Sequence, residues 1–494
     1  MSGLVSKSEI LLSAPERSRP HEWKATIGLG GSVALVVGSM LGIGIFLNPP
    51  IVAGHVPSAG WFLGVWVIGG VMAFFGALSY GELGSMYPQA GGDYVFLKEA
   101  YGRPLAFLFG WAALSATFSG SIATTAVGLG QYYVAPFVGG WFLEPFFTLG
   151  PLRASPLTLT AVALIAAFTA INIYGISFST VVQSLVSFTP FVVLVIAALW
   201  SLVMFRDAGG ITASVSEAAA ANAGTAATNA GTAATSGGGG IGLGQLGLAM
   251  LPVFFAYTGW NSAAYIGSEI KDAKRTLPLA LIFGIGLIVI LYLLLNSLFI
   301  RGTSVQALAQ VGNVGVLAAE SGFGDWGVLI FTLLTGVAIV GTLNSTILIG
   351  PRIYYSMARD GLLFKTVGTL DAKRGTPRHG LLIQAAWASV LVHLGGFETI
   401  LNYTTLMIIV LSALTVAGVI ILRRRRPDAP RGFKVPFYPL VPALYVAMSV
   451  FLIVILSLEN RRQIVAAGLM LALGLFGYAV FARLERRKKT PVPS

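Results

Sequence analysis

The chain has 494 residues, 55% of them apolar and only 10% charged, with a formal net charge of +12 and no cysteine. A soluble domain would hold about a quarter charged residues, so this composition describes an all-α polytopic membrane protein. Without cysteine there are no disulfides, thiol nucleophiles or thiolate metal sites, and His21, His55, His379 and His393 show no ligand spacing, so no metal or cofactor is expected.

Residues 1–26 are polar and basic without an apolar core, which reads as a cytoplasmic tail rather than a cleaved leader. Twelve apolar segments follow, at about 27–53, 59–86, 104–130, 156–175, 180–204, 243–268, 279–300, 326–350, 380–396, 400–422, 438–457 and 463–482. With the N-terminus inside, the inside loops and tails hold 26 Lys and Arg, and the outside loops hold five: Arg153, Arg206, Arg301, Arg461 and Arg462. That bias is the positive-inside rule, so the basic excess reports topology in a cell membrane, with both termini cytoplasmic, and not nucleic acid.

Segment 1 contains Gly38-Ser39-Met40-Leu41-Gly42-Ile43-Gly44-Ile45-Phe46, with three glycines in seven residues. Each glycine weakens a helix by about 1 kcal/mol relative to alanine. Lipid cannot satisfy freed backbone groups, so an unwound turn at this depth must face protein or a cavity. Unwinding at Gly42-Ile43-Gly44 would put N–H groups at the head of a second half-helix, where the dipole favours a small carboxylate. The competing reading is a small-xxx-small packing face made by Gly38 and Gly42.

Segment 2 is stopped by Pro88 and Gly91-Gly92, and residues 94–102 read as a short interfacial helix. Asp93, Lys98 and Glu99 read as solvated or headgroup-facing charges, and the deeper Glu82 as a candidate gate of an inner vestibule. Pro190 in segment 5 predicts a kink. Residues 205–242, rich in Ala, Gly, Thr, Ser and Asn, read as a flexible extracellular tether. The GxGxxG match at Gly242–Gly247 fails as a dinucleotide fingerprint, because no strand precedes it and a membrane helix follows.

Segment 6 carries Phe254-Phe255-Ala256-Tyr257-Thr258-Gly259-Trp260-Asn261-Ser262, a second interruption five segments after the first. Interrupted segments at matching positions of two halves, here 27–204 and 243–422, point to a transporter site. Released carbonyls of Phe255, Ala256 and Thr258 would accept from an ammonium; an aromatic-rich helix with one glycine is the alternative. In segment 8, Thr342, Ser345 and Thr346 most simply bond their own helix, with a cation site as the minority reading. His393 reads as interfacial. Arg423–Arg426 open a basic cytoplasmic loop, 423–437, and would attract anionic lipid. Residues 438–482 supply the last two helices and 483–494 a basic cytoplasmic tail. No Lys, Arg, Asp or Glu falls near the bilayer midplane, which favours a substrate without net charge, such as an amino acid with a neutral side chain. No nucleophile with a base is visible, so no enzyme is expected.

At these residues the chain resembles the amino acid–polyamine–organocation superfamily, nearest to permeases of the L-type amino acid transporter branch. The similar stretches are Gly38–Phe46, Tyr80–Tyr101, Asn172–Gln183, Phe255–Pro278 and Ala358–Gly361. The resemblance implies a LeuT-type five-plus-five inverted repeat with discontinuous helices 1 and 6, alternating access, and two extra helices linked to homo-oligomer contacts. It further implies that Gly42, Ile43 and Gly44 receive the substrate carboxylate, that Phe255, Ala256 and Thr258 receive the amine, that Phe255 closes as an outer gate, and that Asn261 ties the unwound turn together. Two departures stand out: Ile43 replaces the family's usual serine, and Pro190 stands where many members carry a lysine linked to coupling. Exchange or uniport of neutral amino acids is therefore expected ahead of proton or sodium symport, with a non-transporting sensor as the rival of a different class.

Overall fold

The computed structural model describes residues 23–204, 241–301, 304–311, 314–394, 397–459 and 461–489. Most of the tether expected at 205–242 and most of the N-terminal tail therefore lie outside the described residues. Segment 1 is two helices, α1 (Leu29–Met40) and α2 (Gly44–Ala53), followed by α3 (Ala59–Met86) and the short α4 (Asp93–Tyr101). Segment 3 is α5 (Arg103–Ala112), α6 (Phe118–Leu129) and α7 (Ala135–Val138), joined through π-helical turns at Ala113–Thr117 and Gly130–Val134. A hairpin of β1 (Phe147–Leu149) and β2 (Leu152–Ala154) precedes α8 (Pro156–Tyr174) and α9 (Ile176–Met204). The second half comprises α10 (Leu243–Ala256), α11 (Ser262–Tyr265), α12 (Ala273–Phe299), α13 (Val305–Leu308), α14 (Val314–Arg359), α15 (Arg378–Leu394) and α16 (Phe397–Arg425). α17 (Leu440–Glu459) and α18 (Arg461–Lys489) complete the chain.

Among the described residues, eight helices are long and apolar enough to cross a membrane, and the bent pair α1–α2 makes a ninth span. α10, α15 and the apolar part of α18 fall short, so length and composition alone do not match all twelve expected spans. Segment 6 falls short because its helix stops at Ala256, where the chain unwinds.

Two groups of helices pack around this frame. α1, α2, α3, α10 and α12 form one bundle, with α1 buried from Ser32 to Met40. Small residues let these helices approach: a methyl on Gly84 of α3 would lie 2.5 Å from the Leu277 side chain of α12. α6, α8, α14 and α15 form the second group, around a cluster that includes Ile122, Leu157, Ile165, Leu343 and Leu381. Ile43 and Leu47 join that cluster, and half-buried Phe255 packs against it, so the bundle touches the second group at its two breaks.

One end of the molecule gathers the basic loops. Glu82, only 1% exposed, accepts from Arg423 (Nε 2.8 Å, Nη2 2.5 Å), Arg431 (3.1 Å) and the Val435 N–H (2.8 Å). Its carboxylate thus clamps the end of α16, through Arg423, and the following loop, through Arg431 and Val435, to α3. In the arginine run expected to meet lipid, Arg424, Arg425 and Arg426 stay exposed, although Arg425 bonds Ala100 O and Arg426 bonds Glu99 and Tyr87. Asp93, expected in solvent, is also 1% exposed. These corrections share one cause, since hydroxyls and guanidinium groups from distant elements converge on carboxylates that local sequence places at a polar helix end.

Candidate functional site

The two breaks lie side by side. α1 ends at Met40, residues 41–43 are unwound, and α2 sets off from Gly44 at a bend of 42°. Ile43 O receives the N–H groups of Phe46 (3.2 Å) and Leu47 (3.1 Å), so Gly44 and Ile45 lead the half-helix with no helical carbonyl behind their N–H groups. Segment 6 is helical to Ala256, turns through residues 257–261, and resumes for the single turn of α11.

Glycines set how close the pieces come. A Cβ on Gly44 would lie 2.7 Å from Ala256 Cα, and one on Gly42 would lie 2.9 Å from Thr342 Oγ1. Gly259 has φ +93° and faces Ser39 O, which a Cβ would approach to 2.5 Å, so both backbone and space demand glycine there. Gly38 admits Gln183 and Ser187 of α9, with an added Cβ only 1.9 Å from Ser187 Oγ. The broken-helix and packing-face readings of segment 1 therefore describe the same glycines.

The carbonyls of segment 6 differ in how far they are used. Phe255 O accepts from both the N–H (3.0 Å) and the hydroxyl (2.7 Å) of Thr258, filling its two lone pairs. Ala256 O accepts from Tyr292 OH at 3.1 Å, and the same hydroxyl lies 2.5 Å from Met40 O. Tyr292 on α12 thus spans the carbonyl ends of α1 and α10. The sequence reading missed it, and its only signal was a lone hydroxyl in an apolar run. Asn48 of α2, also missed, donates to Pro252 O at 2.7 Å and ties the two broken spans together.

The side chains that bond around the junction are uncharged. Thr342 donates to Gly38 O at 2.9 Å, while Ser345 and Thr346 donate to Thr342 O of their own helix. Behind them, Ser179 donates to Asn172, Asn172 to Asn344, Asn344 to Gln183 and Gln183 to Ser187, all at 2.8–2.9 Å. This chain joins α8, α9 and α14 with neutral amides and hydroxyls.

Charges begin one layer nearer the basic end. Asn261 donates to Asp93 (3.2 Å) and to Tyr265 OH (3.0 Å), and Asp93 also accepts from Tyr265 OH (2.5 Å), Thr415 Oγ1 (2.8 Å) and Tyr80 OH. Burial pushes the Asp93 carboxyl above the usual carboxylate range, and the hydroxyls of Tyr265, Tyr80 and Thr415 pull against that rise. Glu269 pairs with Arg352 of α14 (2.9 and 3.2 Å), both 2% exposed or less, and the guanidinium stacks on Trp23 at 5.0 Å. Residues 26–27 bond alongside, with the Thr26 and Ile27 N–H groups on Glu269 O.

Two packed spans broken side by side, with half-helix N–H groups that no helical carbonyl takes lying beside a turn of carbonyls, define a carrier that holds a small solute within the membrane. The comparisons give that carrier its family. A profile described as amino acid permease matches residues 27–481, and the chain belongs to the amino acid permease family. It is 28% identical to the b(0,+)-type amino acid transporter 1 of Mus musculus over 92% of this chain and 87% of the relative. It is 27% identical to the Asc-type amino acid transporter 1 of Mus musculus (91% and 79%) and 24% identical to the cystine/glutamate transporter of Homo sapiens (96% and 89%). The protein is thus a multi-pass membrane transporter of amino acids and not an enzyme.

Proposed function

We propose that this permease exchanges neutral L-amino acids across the cell membrane by alternating access, with both termini cytoplasmic. The observation that carries the reading is the uncharged junction of two broken helices. The N–H groups at Ile43 and Gly44 take the carboxylate, helped by the helix dipole, and the Gly42 N–H joins them by letting go of Met40 O, to which it donates at 2.8 Å. The ammonium goes to the turn of segment 6, where Ala256 and Thr258 keep acceptor capacity that Phe255 O has spent on Thr258. Phe255 closes over the substrate from the outer side, and Asn261 holds the turn.

A side-chain charge on the substrate would have no counter-charge here, because Arg352 and Glu269 are already paired with each other. Exchange is favoured over symport by the neutral chain from Ser179 to Ser187 and by Pro190, which leave no titratable group on α9 beside α1. The hydroxyls of Thr342, Ser345 and Thr346 spend their protons on backbone carbonyls, and a sodium ion there would have only neutral oxygens. Exposed Leu444, Val454, Leu469, Leu473 and Phe476 on α17 and α18 suit lipid or a second copy of the chain.

Proteoliposome uptake tests the reading. Labelled neutral amino acid should enter severalfold faster when unlabelled amino acid is loaded inside, with no change on adding sodium or a pH gradient. Uptake that requires either gradient would overturn exchange, and binding without flux would make the protein a sensor.

A further inference from the structure

Three carboxylates among the described residues are buried, and two of them, Glu82 and Glu269, face arginines. Asp93 differs. Its four side-chain donors are all neutral, and no ammonium or guanidinium bonds to it among the described residues. The donors come from three elements besides its own: Tyr80 from α3, Asn261 and Tyr265 from the return of segment 6, and Thr415 from α16. α3 and segment 6 belong to the bundle that holds both breaks, whereas α4 packs on α5 and α16.

We propose that Asp93 is the positioning residue that latches the bundle shut at the basic end of the permease and must give up its bundle donors before substrate leaves there. Any movement of the bundle away from α4 and α16 separates the carboxyl from Tyr80, Asn261 and Tyr265 together. Buried polar groups pay heavily for lost partners, so the closed arrangement is held by one side chain with three moving donors. The link to the site is direct, because Asn261 closes the unwound turn of segment 6. The inference rests on alternating access as proposed above, but its readout does not depend on flux.

The chain has no cysteine, so one reporter can be placed cleanly. Ser262 is fully buried and its hydroxyl has no partner, which makes Ser262→Cys a near-isosteric probe just beyond the turn. Labelling with a charged thiol reagent from the basic end should be slow in the Ser262→Cys protein. Adding Asp93→Asn, which replaces an acceptor oxygen with a donor, should speed it on the order of tenfold or more. Tyr265→Phe and Tyr80→Phe, which each remove one moving donor, should each speed it less and add little on top of Asp93→Asn, as members of one latch do. In transport, KM measured from the opposite face should rise for Asp93→Asn more than kcat falls. Unchanged labelling and KM in well-folded Asp93→Asn protein would overturn the proposal. Where that variant fails to fold, Tyr265→Phe carries the test, and an unchanged rate there overturns it equally. Loss of exchange in the parent protein with the labelling pattern intact would sink the transport mode and leave the latch standing.

Discussion

Gly44 shows what one missing side chain accomplishes. Its N–H heads a half-helix, and its Cα lies so near Ala256 that a methyl would overlap that backbone at 2.7 Å. Gly44→Ala should therefore weaken amino acid binding by roughly tenfold or more, through overpacking of about 1–3 kcal/mol. The check is equilibrium binding to protein that remains monodisperse in detergent. Gly44→Leu should abolish binding while the chain still inserts. The Arg352–Glu269 pair belongs to the same scale. Both groups are buried, so removing one strands the other, and Glu269→Gln or Arg352→Met should each destabilise the protein by about 3–5 kcal/mol. The double variant should lose less than the sum, as thermal unfolding in detergent would read.

At the scale of elements, interruptions in the helices matter more than the helices. α1 and α10 stop where glycine or a turn makes the helix weakest, and in each case a tyrosine hydroxyl, Tyr292, covers a carbonyl left at the end. α16 is anchored differently, through Glu82 and the loop behind it. Glu82→Ala would leave Arg431 and the Val435 N–H without their acceptor in a buried setting. It should loosen residues 427–437, seen as faster limited proteolysis there and a loss of about 3 kcal/mol or more. The position of Glu82 in the polar end of α3 was legible from sequence. Its partner was not, because Arg423 lies 341 residues away. The π-helical turns of segment 3 and the hairpin near Gly150 also escaped the sequence reading, since each adds or turns only a few residues inside an unremarkable composition.

The molecule as a whole behaves as two packed groups meeting at a neutral junction. Selectivity belongs at this scale, because it depends on which charges the surrounding helices fail to supply. In a competition panel, acidic and cationic amino acids should compete at least about tenfold more weakly than neutral ones of similar size. A cationic amino acid competing as well as leucine would show that a carboxyl reaches the substrate. The cystine/glutamate transporter among the relatives makes this a sharp comparison, since Arg352, the guanidinium described near the present junction, is already paired with Glu269.

The chain alone determined its class and the place of both breaks, because hydropathy and glycine content act locally and freed backbone must be dealt with where it arises. Only the tertiary structure decided what fills those breaks and what locks them. Asp93 meets Tyr265 across 172 residues and Thr415 across 322, and Tyr292 reaches Met40 across 252. A buried polar group takes whichever partner folding brings within about 3 Å, and sequence separation carries no information about that distance.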